Sequence, residues 1–246
     1  YIETGKTRSE RVLARQSMLA LGAMAGRHPD DAQIREVAIA RIQSSLATLT
    51  HPLHLRPVYG AIANIGEPAL LQFVVDIPNH PDTERREYAA IVMRRMPAAS
   101  TGAFAAHWLN QETSWNVKRE IYSTLELETF DFHEPAAPEV LQHAVRDLKA
   151  KPGVITRKAL IRLIGRSLKL REKDDLGLEA ALLDAVAYEV EKQTDLTMVI
   201  MEFVDADKYQ EVRAKTRRVP TAPTAPTQPA ADVLPTTAPK LGVVGP

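Results

Sequence analysis

The chain has 246 residues, 45% of them apolar, and its 31 Lys and Arg balance 31 Asp and Glu. That is enough material to bury a core in one domain or two, while the charge balance disfavours a general grip on phosphate backbones or anionic membrane surfaces. Cysteine is absent, which excludes disulfides, thiolate metal sites and thiol redox chemistry and leaves the compartment open.

No run reaches the roughly 18 to 20 consecutive apolar residues that cross a bilayer, so no transmembrane segment is expected. No charged-then-apolar leader opens the sequence. The first residue is Tyr1 rather than Met, as in a processed or excerpted chain, so an upstream signal or domain stays open and no localisation is assigned.

From Lys6 to about Arg27, Val12, Leu13, Met18, Leu19 and Leu21 to Met24 recur at helical spacing, closed by Gly26 and Pro29. After Pro29, Asp30 and Asp31 supply a negative N-terminus to a second helix. Its stripe is Ile34, Val37, Ala38, Ile42, Leu46 and Leu49, and it is expected to be the antiparallel mate of the first. A third helix is predicted from about Pro57 to Ile65 with Gly66 as its stop, and a fourth from Pro68 to before Pro78.

Asp82 or Thr83 caps a fifth helix that carries Tyr88, Ile91, Val92 and Met96 and ends at Pro97. Ser100 or Thr101 caps a sixth through Phe104, Trp108 and Leu109, and Ser114 a seventh through Val117, Ile121, Tyr122 and Leu125. A looser stretch spans Thr129 to Ala137. The eighth helix carries Val140, Leu141, Val145 and Leu148 and stops before Pro152 and Gly153; a ninth begins near Thr156. Asp174 and Asp175 open a tenth through Leu182, Leu183, Val186 and Val190, and shorter helical pieces cover Asp195 to Ala206 and Asp207 to Arg218. No alternating strand pattern competes.

The segments Leu19 to Ala25, Gly60 to Gly66, Ala89 to Pro97 and Ala159 to Gly165 look like repeated helix endings at separations of roughly 30 to 40 residues, the size of a helix pair in a HEAT-type α-solenoid. The expected fold is therefore all-α: an α-solenoid over residues 1–218, followed by a Pro/Thr/Ala-rich tail over 219–246. Small residues in the first helix of each pair are expected to let its mate approach, and each pair covers its remaining apolar face with the next. A compact helical bundle is the alternative. The tail, with Thr221-Ala222-Pro223-Thr224-Ala225-Pro226-Thr227-Gln228-Pro229 at its centre, favours extended polyproline II and reads as a spacer or docking segment, with Val233-Leu234 and Leu241 to Val244 as apolar anchors.

The stretch from about Arg15 to Leu127 resembles the α-helical domain of the large lipid transfer proteins, the family of vitellogenin, apolipoprotein B and microsomal triglyceride transfer protein. The resemblance rests on Leu19 to Ala25, on Arg56-Pro57-Val58-Tyr59-Gly60-Ala61-Ile62-Ala63-Asn64-Ile65-Gly66-Glu67-Pro68 with the helix after it, and on Tyr88 to Pro97. It covers somewhat under half the chain. It implies a superhelix of helix pairs that wraps around amphipathic sheets and serves as scaffold and subunit contact, while the sheets hold the lipid. This chain departs from the family in having no strand-rich segments around the helices, so the parts that would line a lipid cavity are not in it.

Chemical motifs are sparse. Gly5-Lys6-Thr7 matches only the end of a phosphate-cradling loop, without the earlier glycine or the strand. His51 and His54 have zinc-ligand spacing, but Pro52 intervenes and no third or fourth ligand follows. His28, His80 and His133 fall at helix boundaries, and His107 and His143 lie within helices in no recognisable triad order. Trp108 and Trp115 flank one connection as an aromatic platform or as core. Arg85-Arg86, Arg94-Arg95 and Arg213 to Arg218 offer a basic strip, but acidic neighbours such as Glu84 and Glu87 favour ordinary solvated helix faces.

The leading expectation is a non-catalytic scaffold for protein partners or a larger assembly, with no cofactor, metal ligand or catalytic residue assigned and no binding residue named. A lipid carrier completed by other domains or chains is the second reading, and a HEAT-like DNA glycosylase the third.

Overall fold

The computed structural model describes residues 7–218, and the predicted tail over 219–246 lies outside them. Among the described residues every regular element is helical. The α-helices are α1 Arg8–Arg27, α2 Ala32–Thr48, α3 Pro52–Ile65, α4 Thr83–Ala89, α5 Ala98–Gln111, α6 Trp115–Phe132, α7 Pro138–Lys149, α8 Val154–Leu170, α9 Leu178–Lys192, α10 Leu196–Met201 and α11 Ala206–Arg218. Tighter 3-10 segments occupy Pro68–Val74, Ile77–Asn79 and Ala90–Arg95.

Short polar side chains set the starts of several helices. Thr7 Oγ1 accepts the Glu10 amide at 3.2 Å while Glu10 Oε2 accepts the Thr7 amide at 2.8 Å, a reciprocal cap on α1. Asp31 accepts the Ile34 amide, Asp82 those of Glu84 and Arg85, and Asp174 those of Leu178 and Glu179. Each such cap contributes about 1 kcal/mol. At its C-terminus α3 stops on Gly66 at φ 70°, where a side chain would also run into the Arg95 carbonyl oxygen at 2.5 Å.

Several boundaries differ from the sequence expectation. The third helix starts at Pro52 and runs through Pro57, whose missing N–H is tolerated inside a helix that buries the ring. Between Gly66 and Pro78 the chain forms 3-10 turns rather than an α-helix. The fifth helix tightens to 3-10 from Ala90. Neither Ser100 nor Thr101 caps α5, which begins after Pro97; the Thr101 hydroxyl turns instead to Glu128. Of the expected loose stretch from Thr129 to Ala137, the first residues still belong to α6, which ends at Phe132 with His133 as its cap at φ 55°, and only residues 133–137 are irregular.

Side-chain bonds fix how the elements run. Arg86 of α4 reaches Glu112 at the end of α5, Lys118 of α6 reaches Asp147 near the end of α7, and Arg157 of α8 reaches Glu189 near the end of α9. Start meets end each time, so these are antiparallel hairpins. The first helices of successive hairpins run parallel: Arg119 and Glu87, each the fifth residue of its helix, join α6 to α4, and Arg166 and Glu126 meet far along α8 and α6. The second helices also follow one another, α5 against α7, α7 against α9 and α9 against α11.

Glycine governs the first of these contacts. A Cβ at Gly22 would meet the Ala61 carbonyl oxygen at 2.5 Å, and at Gly26 the Asn64 carbonyl occupies the same space. Helix α1 therefore lies backbone to backbone on α3, and it packs there more extensively than on α2. The small residues serve the approach of the next hairpin's first helix, not of the hairpin mate as the sequence reading expected. One apolar cluster runs without a break from Met18 to Tyr209. Its largest fully buried members include Tyr59, Met93, Trp108 and Tyr122, and burying each such side chain contributes roughly 1.5–3 kcal/mol.

Candidate interaction surface

Three ion pairs recur at one structural position. Arg86, Lys118 and Arg157 are each the fourth residue of their helix. Each points at a carboxylate on the hairpin mate, 26, 29 and 32 residues further on. Arg86 donates to both Glu112 oxygens, at 2.9 and 3.1 Å, and to the His80 carbonyl. Burial works against ionisation of Glu112, but Arg86, the Ser114 amide and the Trp108 indole N–H outweigh it and hold the carboxyl below its ordinary value. Asp147 accepts from Lys118 at 2.9 Å and from the Tyr122 hydroxyl at 2.7 Å. Burial and that carboxylate push the Tyr122 phenol far up. Arg157 grips Glu189 with two nitrogens and also donates to the Pro152 carbonyl.

Glu128 is the exception, a carboxyl 2% exposed and with no ion-pair partner among the described residues. Its Oε1 accepts from the Thr101 hydroxyl at 2.7 Å, and its Oε2 has no partner. It faces a gap of about 10 Å³ among Gly102, Leu125, Ala137 and Val140. Burial, with the nearby charge of Glu134, pushes its pKa up to about 8.

The histidines serve local structure. His51 Nδ1 accepts the Leu53 amide at the start of α3, and its ring lies 5.0 Å from that of His54. No group of three or more metal-ligating side chains occurs among the described residues. His80 Nδ1 accepts the Asp82 amide, His133 Nδ1 donates to the Phe130 carbonyl, and His143 Nδ1 accepts from Arg146. His28 sits at the C-cap of α1 and His107 is exposed on α5.

The two tryptophans do not build a platform. Trp108 is fully buried edge-on to Phe104, whereas Trp115 is 38% exposed and lies under the Lys118 ammonium at 4.9 Å. Of the basic clusters, read in the sequence as solvated helix faces rather than a strip, Arg85 donates to the Tyr59 hydroxyl, Arg86 to Glu112 and Arg94 to Asn64, whereas Arg213 and Arg217 line a hollow near Tyr209. No helix among the described residues is long and apolar enough to cross a membrane.

Besides a polar hollow of about 570 Å³ at the α1–α2 turn, walled by Arg27 to Ala32, open surface lies at two places. Between α1 and α2 a shallow groove of about 320 Å³ is lined mainly by Leu13, Ala14, Met18 and Leu21, with Glu10 and Arg41 at its rim. At the far end of the chain, two hollows of about 230 and 410 Å³ flank the last turn of α9, and Glu189 forms part of both walls. In the first, the Lys151 ammonium stands 4.7 Å from the centre of the Tyr188 ring, with Arg157 at 5.0 Å and Lys192 at 5.7 Å. The second is walled by Thr194, Thr197, Tyr209, Arg213 and Arg217. Sequence reasoning singled out only the Arg213 to Arg218 part of this arrangement, because the other cations arrive from separate helices.

Comparison with models of known protein families, with curated proteins and with solved structures returned no match.

Proposed function

We propose that the chain is a non-catalytic scaffold, an α-solenoid of the HEAT type that binds protein through its exposed edges. The observation that carries the reading is the recurrence of one ion pair, from the fourth residue of a first helix to the end of its mate, at Arg86/Glu112, Lys118/Asp147 and Arg157/Glu189. A device that returns every roughly 30 to 40 residues, in hairpins whose first helices run parallel, favours a stack over a closed bundle.

The same pairs argue against chemistry. They place most of the buried charge between helices, where it is neutralised, rather than gathering it in a cleft with room for a substrate. A place as the helical domain of a lipovitellin-like assembly is the form of this reading that the sequence resemblance favours.

Lipid carriage has one observation on its side, the apolar groove between α1 and α2. It is open and small, and the large apolar side chains elsewhere are mostly in contact with one another. Organic extraction of the purified chain followed by mass spectrometry separates the readings. Less than stoichiometric lipid is expected, and a full equivalent would reverse their order. A base-excision role predicts salt-sensitive retention on DNA, and the scaffold reading predicts none at low salt.

A further inference from the structure

We propose that the two hollows around the last turn of α9 form a single docking groove for an acidic peptide segment of a partner protein. The proposal rests on reading the chain as a protein-binding scaffold and adds the chemistry of the partner.

Charge is the first argument. Six cations converge here from four segments: Lys149 and Lys151 from the end of α7 and its loop, Arg157 from α8, Lys192 from α9, and Arg213 and Arg217 from α11. Arg157 is neutralised by Glu189, and Lys192 is paired with Glu191 at 3.1 Å. Among the described residues no carboxylate lies within salt-bridge distance of Lys149, Lys151, Arg213 or Arg217. The exposed Asp184 is the one further acid in the walls. The C-terminal carbonyls of α9 attract cations with about half a unit of charge. That cannot balance four, so the groove keeps a positive excess in a chain whose total charge is zero.

Shape and surroundings are the second argument. The groove has an aromatic wall in Tyr188, and the Thr194 and Thr197 hydroxyls in its wall, which donate to Glu189 and to the Thr194 carbonyl, keep lone pairs that can accept from peptide amides. Lys151 is held in the left-handed backbone region at φ 53°, with its amide bonded to the Leu148 carbonyl, which orients its side chain over the ring. Directly after this loop, Val154 and Ile155 stand at the start of α8, and Ile155 is 66% exposed. Val154 shares a helix face with Arg157 one turn on, so an apolar anchor adjoins the basic groove. Nucleic acid is the weaker fit, since it offers no aliphatic side chain for Val154 and Ile155 and needs a longer run of cations than this end supplies.

The test uses the full chain and a fluorescein-labelled peptide of alternating Glu and Leu, read by fluorescence anisotropy. Its Gln–Leu counterpart and an oligothymidine of equal charge serve as competing probes. Saturable binding is expected for the Glu–Leu peptide. The double variant K151E/R213E, at one exposed and one half-buried position, is expected to weaken it by about tenfold or more, and R8E/R27E on distant α1 to leave it unchanged, with both variants melting like the native chain. Equal binding by K151E/R213E, tighter binding of the oligonucleotide, or no binding of the peptide overturns the proposal. Capture of a natural partner that persists undiminished in K151E/R213E overturns this groove while leaving the scaffold reading standing; loss of all protein capture by the native chain overturns the scaffold reading itself.

Discussion

Arg157 and Glu189 form a two-point ion pair, Nε to Oε1 at 2.5 Å and Nη2 to Oε2 at 3.0 Å, with both side chains almost out of solvent. The pair joins the start of α8 to the end of α9, and the Thr194 hydroxyl donates to the same carboxylate. The guanidinium is held more strongly protonated than usual by its bond to Glu189. Arg157 and Glu189 are therefore matched to each other and poorly suited to any alternative.

Removing one partner is predicted to cost more than removing both. E189Q leaves a buried guanidinium without its counter-charge, and a loss of about 3–5 kcal/mol is expected in urea denaturation. The double variant R157M/E189L is expected to recover much of it. A single variant no more costly than K215A, which breaks an exposed pair with Glu211 and should change stability by under about 1 kcal/mol, would contradict the placement of this pair.

Gly22 and Gly153 should respond unequally to alanine. G22A drives a methyl into the Ala61 backbone, so α1 must lift from α3, at a cost of about 1–3 kcal/mol. Gly153 has φ −55° and open space around the position of a Cβ. Gly153 is also the N-cap of α8, where Ala is a poorer cap than Gly, which offsets the gain of about 0.4–1 kcal/mol through the unfolded chain, so G153A is expected to be close to neutral. Thermal melts of the two variants against the native chain decide it, and a neutral G22A would refute the close α1–α3 contact.

Glu128 predicts an alkaline loss of stability. Its folded pKa of about 8 lies above the ordinary carboxyl value of 4.5, so the folded chain holds a proton that the unfolded chain has released. Stability must fall as pH rises between those two values and then level off, at up to about 1.4 kcal/mol for each pH unit. E128Q keeps the neutral shape and removes the titration. Denaturation at several pH values is expected to show E128Q close to the native chain near pH 4 and progressively more stable than it towards pH 9. Parallel pH profiles would show that Glu128 is already ionised in the fold.

Local features were legible in the sequence because their causes are local. Asp31, Asp82 and Asp174 stand a few residues from the amides they cap, and the stripe Val140, Leu141 and Leu148 is buried as its spacing requires. Pairings across a hairpin were not legible. Nothing beside Arg86 in the chain names Glu112, and Thr101 looked like a cap because its bond to Glu128 depends on α5 and α6 already being packed. The nearest signal was a basic residue in the first turn of several first helices, with an acid roughly 30 residues on. The α9 groove was hidden for the same reason, since Lys151, Lys192 and Arg213 share a surface only after three helices have docked.

The most direct test of the scaffold account is capture by the tagged full chain, and by a chain ended at Arg218, from extract of its native source, followed by cross-linking and mass spectrometry of both protein and lipid. The account predicts a protein partner at near-equal amounts, cross-linked through exposed lysines such as Lys149, Lys151 and Lys192, with little lipid. A preparation with no protein partner and a full equivalent of bound lipid would contradict it.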